Sequence, residues 1–332
     1  MSDRPTIRDV AREAGVSIAT VSRALNDKGD VSVATRDRVR MAARDLGYSV
    51  DPAARALGAQ RTGLVGVVVG DNAGHRDLSL IFFGTVLAAI SRRLGQDGYE
   101  PVLLAAGDGL AHRFDAVVLI GVDDDDPLIA ELARRRIPLV GVDVRCRVPH
   151  AAFVGSDHAG GVRLALAHLH ALGHRRIAHI AGAQNTAAGA ERLAAFERDV
   201  ERLGLELQDE YVRDGDFSSA SGYRETCELL ALAEPPTAIV AASDLMALAA
   251  LQAIWESGRK PGRDVAVVGF DDLEAAALAH PPLTTIRQDR QELGTLAATH
   301  AIELVEQPDA PPRKAVVPVE LVVRASSARG DG

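Results

Sequence analysis

Apolar runs of strand length alternate with helix-length stretches over most of this 332-residue chain. The first run, residues 64–69, holds only valine, leucine and glycine, which is typical of a strand buried on both faces of a parallel sheet. The alternation continues with helices at 80–94, 159–172, 190–203, 219–232, 245–257 and 292–305, and with strands at 102–105, 116–120, 139–142, 177–181, 238–241 and 265–270. It predicts a doubly wound α/β architecture of two lobes, with ligands bound in a cleft at the carboxyl ends of the strands.

One connection in this pattern is unusually short. Only about ten residues separate the strands at 102–105 and 116–120, whereas parallel strands need a crossover of roughly a dozen or more. Residues 107–114 are too few for a regular helical crossover. We therefore predict a first lobe that is shortened near 106–114, with an altered edge or dimer surface.

The amino-terminal segment has a different pattern, which predicts two short helices joined by a tight turn. Thr6 can cap the first helix with Asp9 as its reciprocal partner, Gly15 suits the turn, and Ser17 can cap the second helix. The second helix then carries outward-facing side chains near its start: Ile18, Ala19, Ser22 and Arg23. This geometry fits a helix-turn-helix, whose second helix enters a DNA major groove about 12 Å wide. Alone, the pattern is equally compatible with a surface helical hairpin.

Two further helices are predicted before the first strand. One spans residues 32–46, capped by Ser32 or Thr35, with Gly47 at its end. The other, 51–58, begins Asp-Pro, ends in Gly and has barely two turns. A helix this short is marginal alone in water, so we expect it to fold only against a partner.

Charge and cysteine content narrow the function class. The net charge is −9, but the first 60 residues carry ten Lys or Arg against eight Asp or Glu, a balance of +2. The acidic remainder, at −11, should discourage non-specific adhesion to DNA. Cys146 and Cys227 are the only cysteines, which suits a reducing compartment. There is no apolar run of bilayer length and no secretory leader, so a cytoplasmic location without a membrane partner is expected.

Several segments, in the right order, closely resemble the lactose-repressor (LacI/GalR) family of bacterial transcription regulators. They are the helix-turn-helix and residues 53–57, 172–177, 192–196, 267–272 and 282–286. The resemblance implies a homodimer with a periplasmic-binding-protein-like effector domain and a hinge helix that folds on operator DNA. The corresponding domains are a helix-turn-helix DNA-binding domain at 1–50, a hinge and linker at 51–62, and a two-lobed effector domain at 63–332.

The resemblance also implies a set of DNA-facing residues. Ile18, Ala19 and Arg23 match family positions that face base edges, and an arginine can bind guanine O6 and N7 as a bidentate donor. Residues suited to phosphate contacts are Thr20, Ser22, Asn26 and Ser32, and the set also includes Thr6, Ser17 and the hinge residue Ala54. Leu57 matches a leucine that wedges into the minor groove, and Ala53 is smaller than the aliphatic residue of many relatives.

The effector residues implied in the same way are Asp143, Asp157, Arg192, Phe217, Ser243 and Asp271, with Phe82 and Phe83 on the opposite wall. Carboxylates and an arginine can bind hydroxyl groups, while Phe217 can stack on the apolar face of a ring. A sugar or nucleoside fits this chemistry. Ser243 stands where many sugar-binding relatives carry asparagine, so the ligand's polar pattern is expected to differ.

The prediction is therefore a DNA-binding repressor controlled by a carbohydrate-like effector. A solute receptor for transport would need an export signal and would leave the helix-turn-helix without a role. A sugar-processing enzyme would need a catalytic constellation, and we find neither a nucleophile elbow nor a phosphate-binding glycine loop, so no enzyme activity or cofactor is predicted. A metal site is also not expected: the run at 123–126 lacks the Gly and Glu of an EF-hand and reads as a loop that caps the next helix, and His168 and His170 do not share a helix face.

Overall fold

The computed structural model describes residues 5–25, 31–46, 48, 61–70, 76–105, 113–205 and 207–327. The chain divides into two compact units, Met1–Gly63 and Leu64–Gly332. The first is called the headpiece here and the second the effector unit, and each is described by itself.

The described residues of the headpiece form the helices α1 (Ile7–Ala14), α2 (Ile18–Leu25) and α3 (Val33–Asp45). They enclose a small core whose central side chains are Val10, Val21 and Val39. The turn between α1 and α2 depends on Gly15, which lies in the left-handed region at φ 64°. The predicted helix-turn-helix is thus confirmed.

The first lobe of the effector unit is built from elements that, in chain order, are β1 (Leu64–Val69), α4 (Arg76–Gln96), β2 (Glu100–Ala105), β3 (Ala116–Ile120), α5 (Pro127–Arg134), β4 (Leu139–Val142), β5 (Ala151–Ser156), α11 (Arg290–Glu306) and β11 (Lys314–Val317). Its strands form a six-stranded, fully parallel sheet in the order β11-β5-β4-β3-β1-β2. Helices α4 and α11 pack on one face of this sheet and α5 packs on the other.

The second lobe is built from α6 (His158–Ala171), β6 (Ile177–Ile180), α7 (Ala187–Arg202), β7 (Val212–Arg213), α8 (Ser219–Leu230), β8 (Ala238–Ala241), α9 (Asp244–Glu256), β9 (Ala266–Asp271), α10 (Glu274–Leu278), β10 (Thr284–Gln288) and β12 (Val319–Val322), with a 3₁₀ turn at Asp209–Tyr211. Its sheet is also six-stranded, in the order β12-β10-β9-β8-β6-β7, with only β12 antiparallel to its neighbour. Helices α6 and α7 cover one face of the sheet, and α8, α9 and α10 cover the other.

The chain passes between the lobes three times, at residues 157, 289 and 318. The connector at 157 is hydrogen-bonded to the strand end that precedes the connector at 318, since the Asp157 amide donates to the Val317 carbonyl at 2.9 Å. Short connectors of this kind let two rigid lobes open and close as bodies. They also leave a cleft between the lobes.

The two-lobed α/β prediction is confirmed, but six elements were missed: β5, β7, β10, β11, β12 and α10. They are short, and β11 and β12 lie at sheet edges with much of their surface exposed, so their sequences lack a buried apolar run. The acidic run at 123–126 does cap the next helix, because Asp126 accepts a hydrogen bond from the Leu128 amide at 2.8 Å. Most of the connection between β2 and β3, residues 106–112, lies outside the described residues, so the shortened lobe remains a prediction.

Among the described helices, none combines the length and apolar character that a bilayer crossing requires.

Candidate functional site

The cleft between the two lobes collects side chains from the carboxyl ends of several strands. Gly121 follows β3, Asp143 follows β4, Ser243 follows β8, and Asp271 ends β9. The described residues that line the cleft are Phe82, Phe83, Gly121, Val122, Val142 and Asp143 from the first lobe, and Thr186, Ala188, Arg192, Asp216, Phe217, Ser218, Ser243, Leu245 and Asp271 from the second. This is the position at which α/β sheets bind their ligands.

All but one of the sequence-predicted effector residues lie in this lining. The exception is Asp157, whose carboxylate accepts a hydrogen bond from the Gly160 amide at 2.8 Å and so caps α6. Asp157 is committed to the helix start, and the structure does not bring it to the cleft.

Arg192 is the central cation of the cleft and is only 4% exposed. Its Nη1 donates to the Ala242 carbonyl, and its Nε and Nη2 lie 3.3 and 3.2 Å from Nδ1 of His158. The guanidinium carbon stands 3.7 Å from the centroid of the Phe270 ring, a cation–π arrangement. Burial lowers the pKa of Arg192, while the charges of Asp271 and Asp143 oppose that shift. An arginine remains charged under these conditions.

Asp143 faces Arg192 from the first lobe through His158. Its Oδ1 accepts from the Ser156 amide at 3.1 Å and from Nε2 of His158 at 2.9 Å. Burial pushes the pKa of Asp143 upward, but the hydrogen bond from His158 and the charge of Arg192 oppose it, and the pKa lies below its ordinary value. The carboxylate is therefore ionised. Asp143 also sits at φ 53°, a backbone strain that packed surroundings must hold in place.

Asp271 approaches from the second lobe and is held by Gln288, whose Nε2 donates to Oδ1 at 2.8 Å. Burial raises the pKa of Asp271, while Arg192 and Arg290 oppose the rise. Its neighbour Asp244 is completely buried and its pKa is raised by burial and by the charge of Asp271. Asp271 can therefore present either an acceptor or, when protonated, a donor to a bound molecule.

The carboxylate of Asp244 points into the protein rather than the cleft. It accepts from the Thr285 hydroxyl at 2.5 Å and from the Leu273 amide at 2.8 Å. The first bond ties α9 to β10, and the second ties it to the segment just after β9, close to Asp271.

Aromatic side chains form the apolar part of the cleft. Phe82 and Phe83 meet edge to face, with centroids 5.1 Å apart. Phe217 lies opposite at φ 68°, and its ring packs so closely on Gly182 that a Cβ there would be 2.1 Å from Cζ. Ser243 has a structural duty as well, because its hydroxyl oxygen caps α9 by accepting from the Met246 amide at 3.3 Å. The cleft can thus hold a molecule that has apolar ring faces and several hydroxyl groups.

In the headpiece, α2 presents the predicted base-facing side chains to solvent. Ile18 is 45% exposed, and Ala19 and Arg23 are also exposed. The Nε of Arg23 donates to the Ala19 carbonyl at 3.2 Å, which folds the guanidinium back along its own helix. Thr20 and Ser22 are half-buried beside them.

The remaining predicted DNA-facing residues either lie at the amino termini of helices or fall outside the described residues. Thr6 occupies the N-cap position of α1, and the Asp9 carboxylate accepts from its amide at 2.9 Å and its hydroxyl at 2.7 Å. Ser17 and Ser32 cap α2 and α3 by accepting from the amides of Thr20 and Thr35, at 3.1 and 3.3 Å. Asn26, Ala54 and Leu57 fall outside the described residues.

Both units match known families. Residues 6–51 match the model of bacterial regulatory proteins of the lacI family, and residues 166–327 match a periplasmic binding protein-like domain. The HTH-type transcriptional regulator CelR of Thermobifida fusca is 36% identical over 335 residues, which cover 97% of this chain and 98% of CelR. The chain belongs to the LacI family.

Solved structures of LacI-family proteins are similar over nearly the whole chain. A complex of the regulator CelR with cellobiose is 35% identical, with a TM-score of 0.75, and covers 97% of this chain and 100% of its own. The lac repressor dimer bound to operator and the anti-inducer ONPF is 33% identical, with a TM-score of 0.79, and covers 98% and 100%. This LacI-family chain is therefore a transcriptional regulator, and the similarity across both units favours that function over a solute receptor.

Sequence reasoning missed several polar residues at the cleft of this LacI-family protein. Thr186, Asp216 and Ser218 line it directly, while His158 and Gln288 hold other lining side chains. His158 could have been found only by predicting β5, because it lies just past that strand's carboxyl end. Within the described ranges, no cluster of three or more His, Cys, Asp or Glu is placed to hold a metal ion.

Proposed function

We propose that this chain is a repressor that binds a pseudo-palindromic operator as a homodimer and responds to a small carbohydrate-like effector in the interlobe cleft. The observation that carries the effector class is the convergence of Asp143, Arg192 and Asp271 beside the ring of Phe217. Ionised groups can bind sugar hydroxyls while an aromatic ring covers the apolar ring face. The cellobiose complex of the similar regulator CelR supports this class.

DNA recognition is assigned to the exposed surface of α2. Arg23 is proposed to read a guanine, and Ile18 and Ala19 to fit against thymine methyl groups or the groove floor. Thr6, Ser17, Thr20, Ser22, Asn26 and Ser32 are proposed to position the headpiece on phosphates. The caps at Thr6, Ser17 and Ser32 support this role, because they place helix amino termini, which attract anions, beside those side chains.

The segment 51–62 is proposed as a hinge that folds on operator DNA, with Ala54 facing the groove and Leu57 wedged between base steps. The shortness of this segment supports a coupling between its folding and DNA binding, because so short a helix is stable only against a partner. We propose that the DNA-binding domain spans residues 1–50, the hinge and linker 51–62, and the effector domain 63–332. We also propose that the protein acts in the cytoplasm, at the chromosome.

Control requires that the effector bind one lobe arrangement better than another. The three connectors allow the lobes to close on a ligand that touches both, as one held by Asp143 and Arg192 would. We propose that closure alters the spacing of the two hinge segments in the dimer. The short hinge helix then folds or melts accordingly.

The experiment that tests this function is a thermal-shift screen of the full chain with sugars and nucleosides, cellobiose included. A ligand that binds only the folded state raises the melting temperature. The Arg192→Ala variant should lose that rise while keeping wild-type affinity for operator DNA isolated by selection from random duplexes. A variant that still responds at wild-type ligand concentrations would overturn the cleft assignment. If selection yields no preferred duplex, the proposal that this chain binds an operator is wrong.

A further inference from the structure

A buried histidine joins the two polar groups that face each other across the cleft. His158 is 1% exposed and lies at the start of α6, directly after a connector between the lobes. Its Nε2 is 2.9 Å from Oδ1 of Asp143, and its Nδ1 is 3.3 and 3.2 Å from Nε and Nη2 of Arg192. Asp143 belongs to the first lobe and Arg192 to the second.

The hydrogen-bonding capacities of the three groups settle where the proton of His158 lies. A guanidinium has only donors, so Nδ1 must be the unprotonated nitrogen that accepts from Arg192. The remaining nitrogen, Nε2, must then carry the proton and donate to the Asp143 carboxylate. His158 is thus a neutral imidazole in one tautomer, a donor on one side and an acceptor on the other.

The geometry points to His158 as the positioning residue of the cleft, which fixes Asp143 and Arg192 in one relative orientation for the ligand. This inference rests on the proposed function for its ligand but not for its geometry. Both protein hydrogen bonds that Asp143 accepts from described residues end on Oδ1, which leaves Oδ2 to accept from a hydroxyl. Among the described residues, the partners of Arg192 engage its Nε and one N–H of each terminal nitrogen, which leaves one N–H on each for a ligand.

The same link makes ligand binding depend on the lobe arrangement. Asp143, His158 and Arg192 can be joined only while the end of β4 stays close to α7. A ligand that bonds to Asp143 and Arg192 therefore finds its two partners correctly placed only in this arrangement. Preorganisation of this kind raises affinity without adding a contact to the ligand.

A purely structural histidine would fill space against the Phe270 ring, whose centroid is 5.9 Å from that of His158. Two substitutions distinguish a side chain that only fills space from one that positions Asp143 and Arg192. His158→Leu fills the site but can neither donate nor accept. His158→Gln offers an N–H to Asp143 and a carbonyl oxygen to Arg192, so it is the conservative variant expected to restore the link.

The first measurement needs no ligand. In full-length protein labelled with ¹⁵N at histidine, the His158 signals, identified by their loss in the Gln variant, should show one protonated Nε2 and one unprotonated Nδ1. In arginine-labelled protein, the Nε–H signal of Arg192, identified through Arg192→Lys, should stay protected from exchange in wild type and His158→Gln and lose protection in His158→Leu. A protonated Nδ1, or equal protection in all three, would overturn the inference.

The second measurement is calorimetric titration of cellobiose into the same proteins. Leaving two buried polar groups unpaired should weaken binding about tenfold in His158→Leu, while His158→Gln stays within about threefold of wild type. Equal affinity in all three proteins would overturn the positioning role. If wild type binds neither cellobiose nor any other sugar, the proposed effector class fails, and the histidine and arginine spectra still decide the assignment of His158.

Discussion

Arg145 of the first lobe and Glu191 of the second form a salt bridge across the mouth of the cleft. Beside it, the Asp124 amide donates to the Asn185 carbonyl at 3.3 Å, and Asp124 Oδ1 accepts from the Arg145 amide at 2.7 Å. The salt bridge and the bond from Asp124 to Asn185 join the two lobes directly. The structure therefore shows the effector unit with its lobes in contact at the rim.

In the Glu191→Gln variant the two lobes should close less readily, because the salt bridge to Arg145 is lost. Both partners are partly exposed, so the pair contributes at most about 1 kcal/mol, and cellobiose binding should weaken by no more than about fivefold, with less difference at high salt. Calorimetry at low and high salt measures this. Glu225→Gln is the matched control, because Glu225 pairs with Arg224 inside one helix. If the two variants behave alike, the rim pair does not contribute to closure.

Arg23→Ala should weaken binding to a selected operator by about 1–3 kcal/mol and leave binding to random duplex nearly unchanged. The reason is that a bidentate contact to a base edge carries sequence information, whereas phosphate contacts do not. Fluorescence anisotropy with both duplexes at one salt concentration provides the measurement. Arg12→Ala, which removes an exposed cation paired with Asp9 on α1, is the control. Equal losses on both duplexes would exclude base reading by Arg23.

Gly15→Ala should destabilise the headpiece by about 1 kcal/mol, because an L-residue is strained in the left-handed region. The Cβ itself would meet open space, so the cost is conformational alone. Gly15→Asn should cost less. Gly95, on a helix and also facing open space, gives a control of opposite sign, since Gly95→Ala should stabilise the effector unit. Denaturant unfolding followed by circular dichroism measures the change in the free energy of unfolding for each variant. A Gly15→Ala variant as stable as wild type would contradict the prediction.

Gly182→Ala should displace the Phe217 ring, because its Cβ would lie 2.1 Å from Cζ and the ring cannot yield by a simple bond rotation. We expect a loss of roughly 1–3 kcal/mol in sugar affinity, the range for a core overpacked by a methyl group, with no change in operator affinity. Titration of cellobiose and of operator DNA measures the two effects, with Gly95→Ala as reference. Unchanged sugar affinity would show that Phe217 is not a stacking surface.

His179 should make the protein sensitive to mild acid. It is fully buried, and burial lowers its pKa to about 4 from an ordinary 6.5, although the Val240 carbonyl that it bonds opposes the shift. The unfolded chain thus binds the proton more readily, so this contribution to stability is complete above pH 6.5 and is lost as pH falls toward 4. The loss amounts to roughly 3 kcal/mol.

The matched variant is His179→Asn, whose amide can keep the hydrogen bond to Val240 but does not titrate. Urea unfolding midpoints between pH 4 and pH 7 should slope less for the variant than for wild type. Asp244 and Asp271, with raised pKa values, act in the opposite direction, because they favour the folded state more at low pH. The difference between the two proteins isolates His179, and identical slopes would refute its role.

Local signals in the sequence were sufficient for the helix-turn-helix and for most of the central strands. A cap such as Ser17, a left-handed glycine such as Gly15, or an apolar run such as Leu64–Val69 acts on residues within a few positions of itself. The cleft residues Asp143, Ser243 and Asp271 were identified through the resemblance to the LacI family, and each lies at or just after the end of a strand that the apolar pattern predicts.

Tertiary structure alone decided the partners of those residues. Helix α11 and strand β11 return to the first lobe after the chain has built the second, and only that return creates three connectors and a cleft. Asp157 caps a helix while its neighbour His158 links Asp143 to Arg192, a difference of one position that residue type cannot predict. The physical reason is range: capping and hydrophobic periodicity are set within one or two turns of chain, whereas pairs such as Arg145 with Glu191 exist only where strand order and lobe closure bring distant residues together.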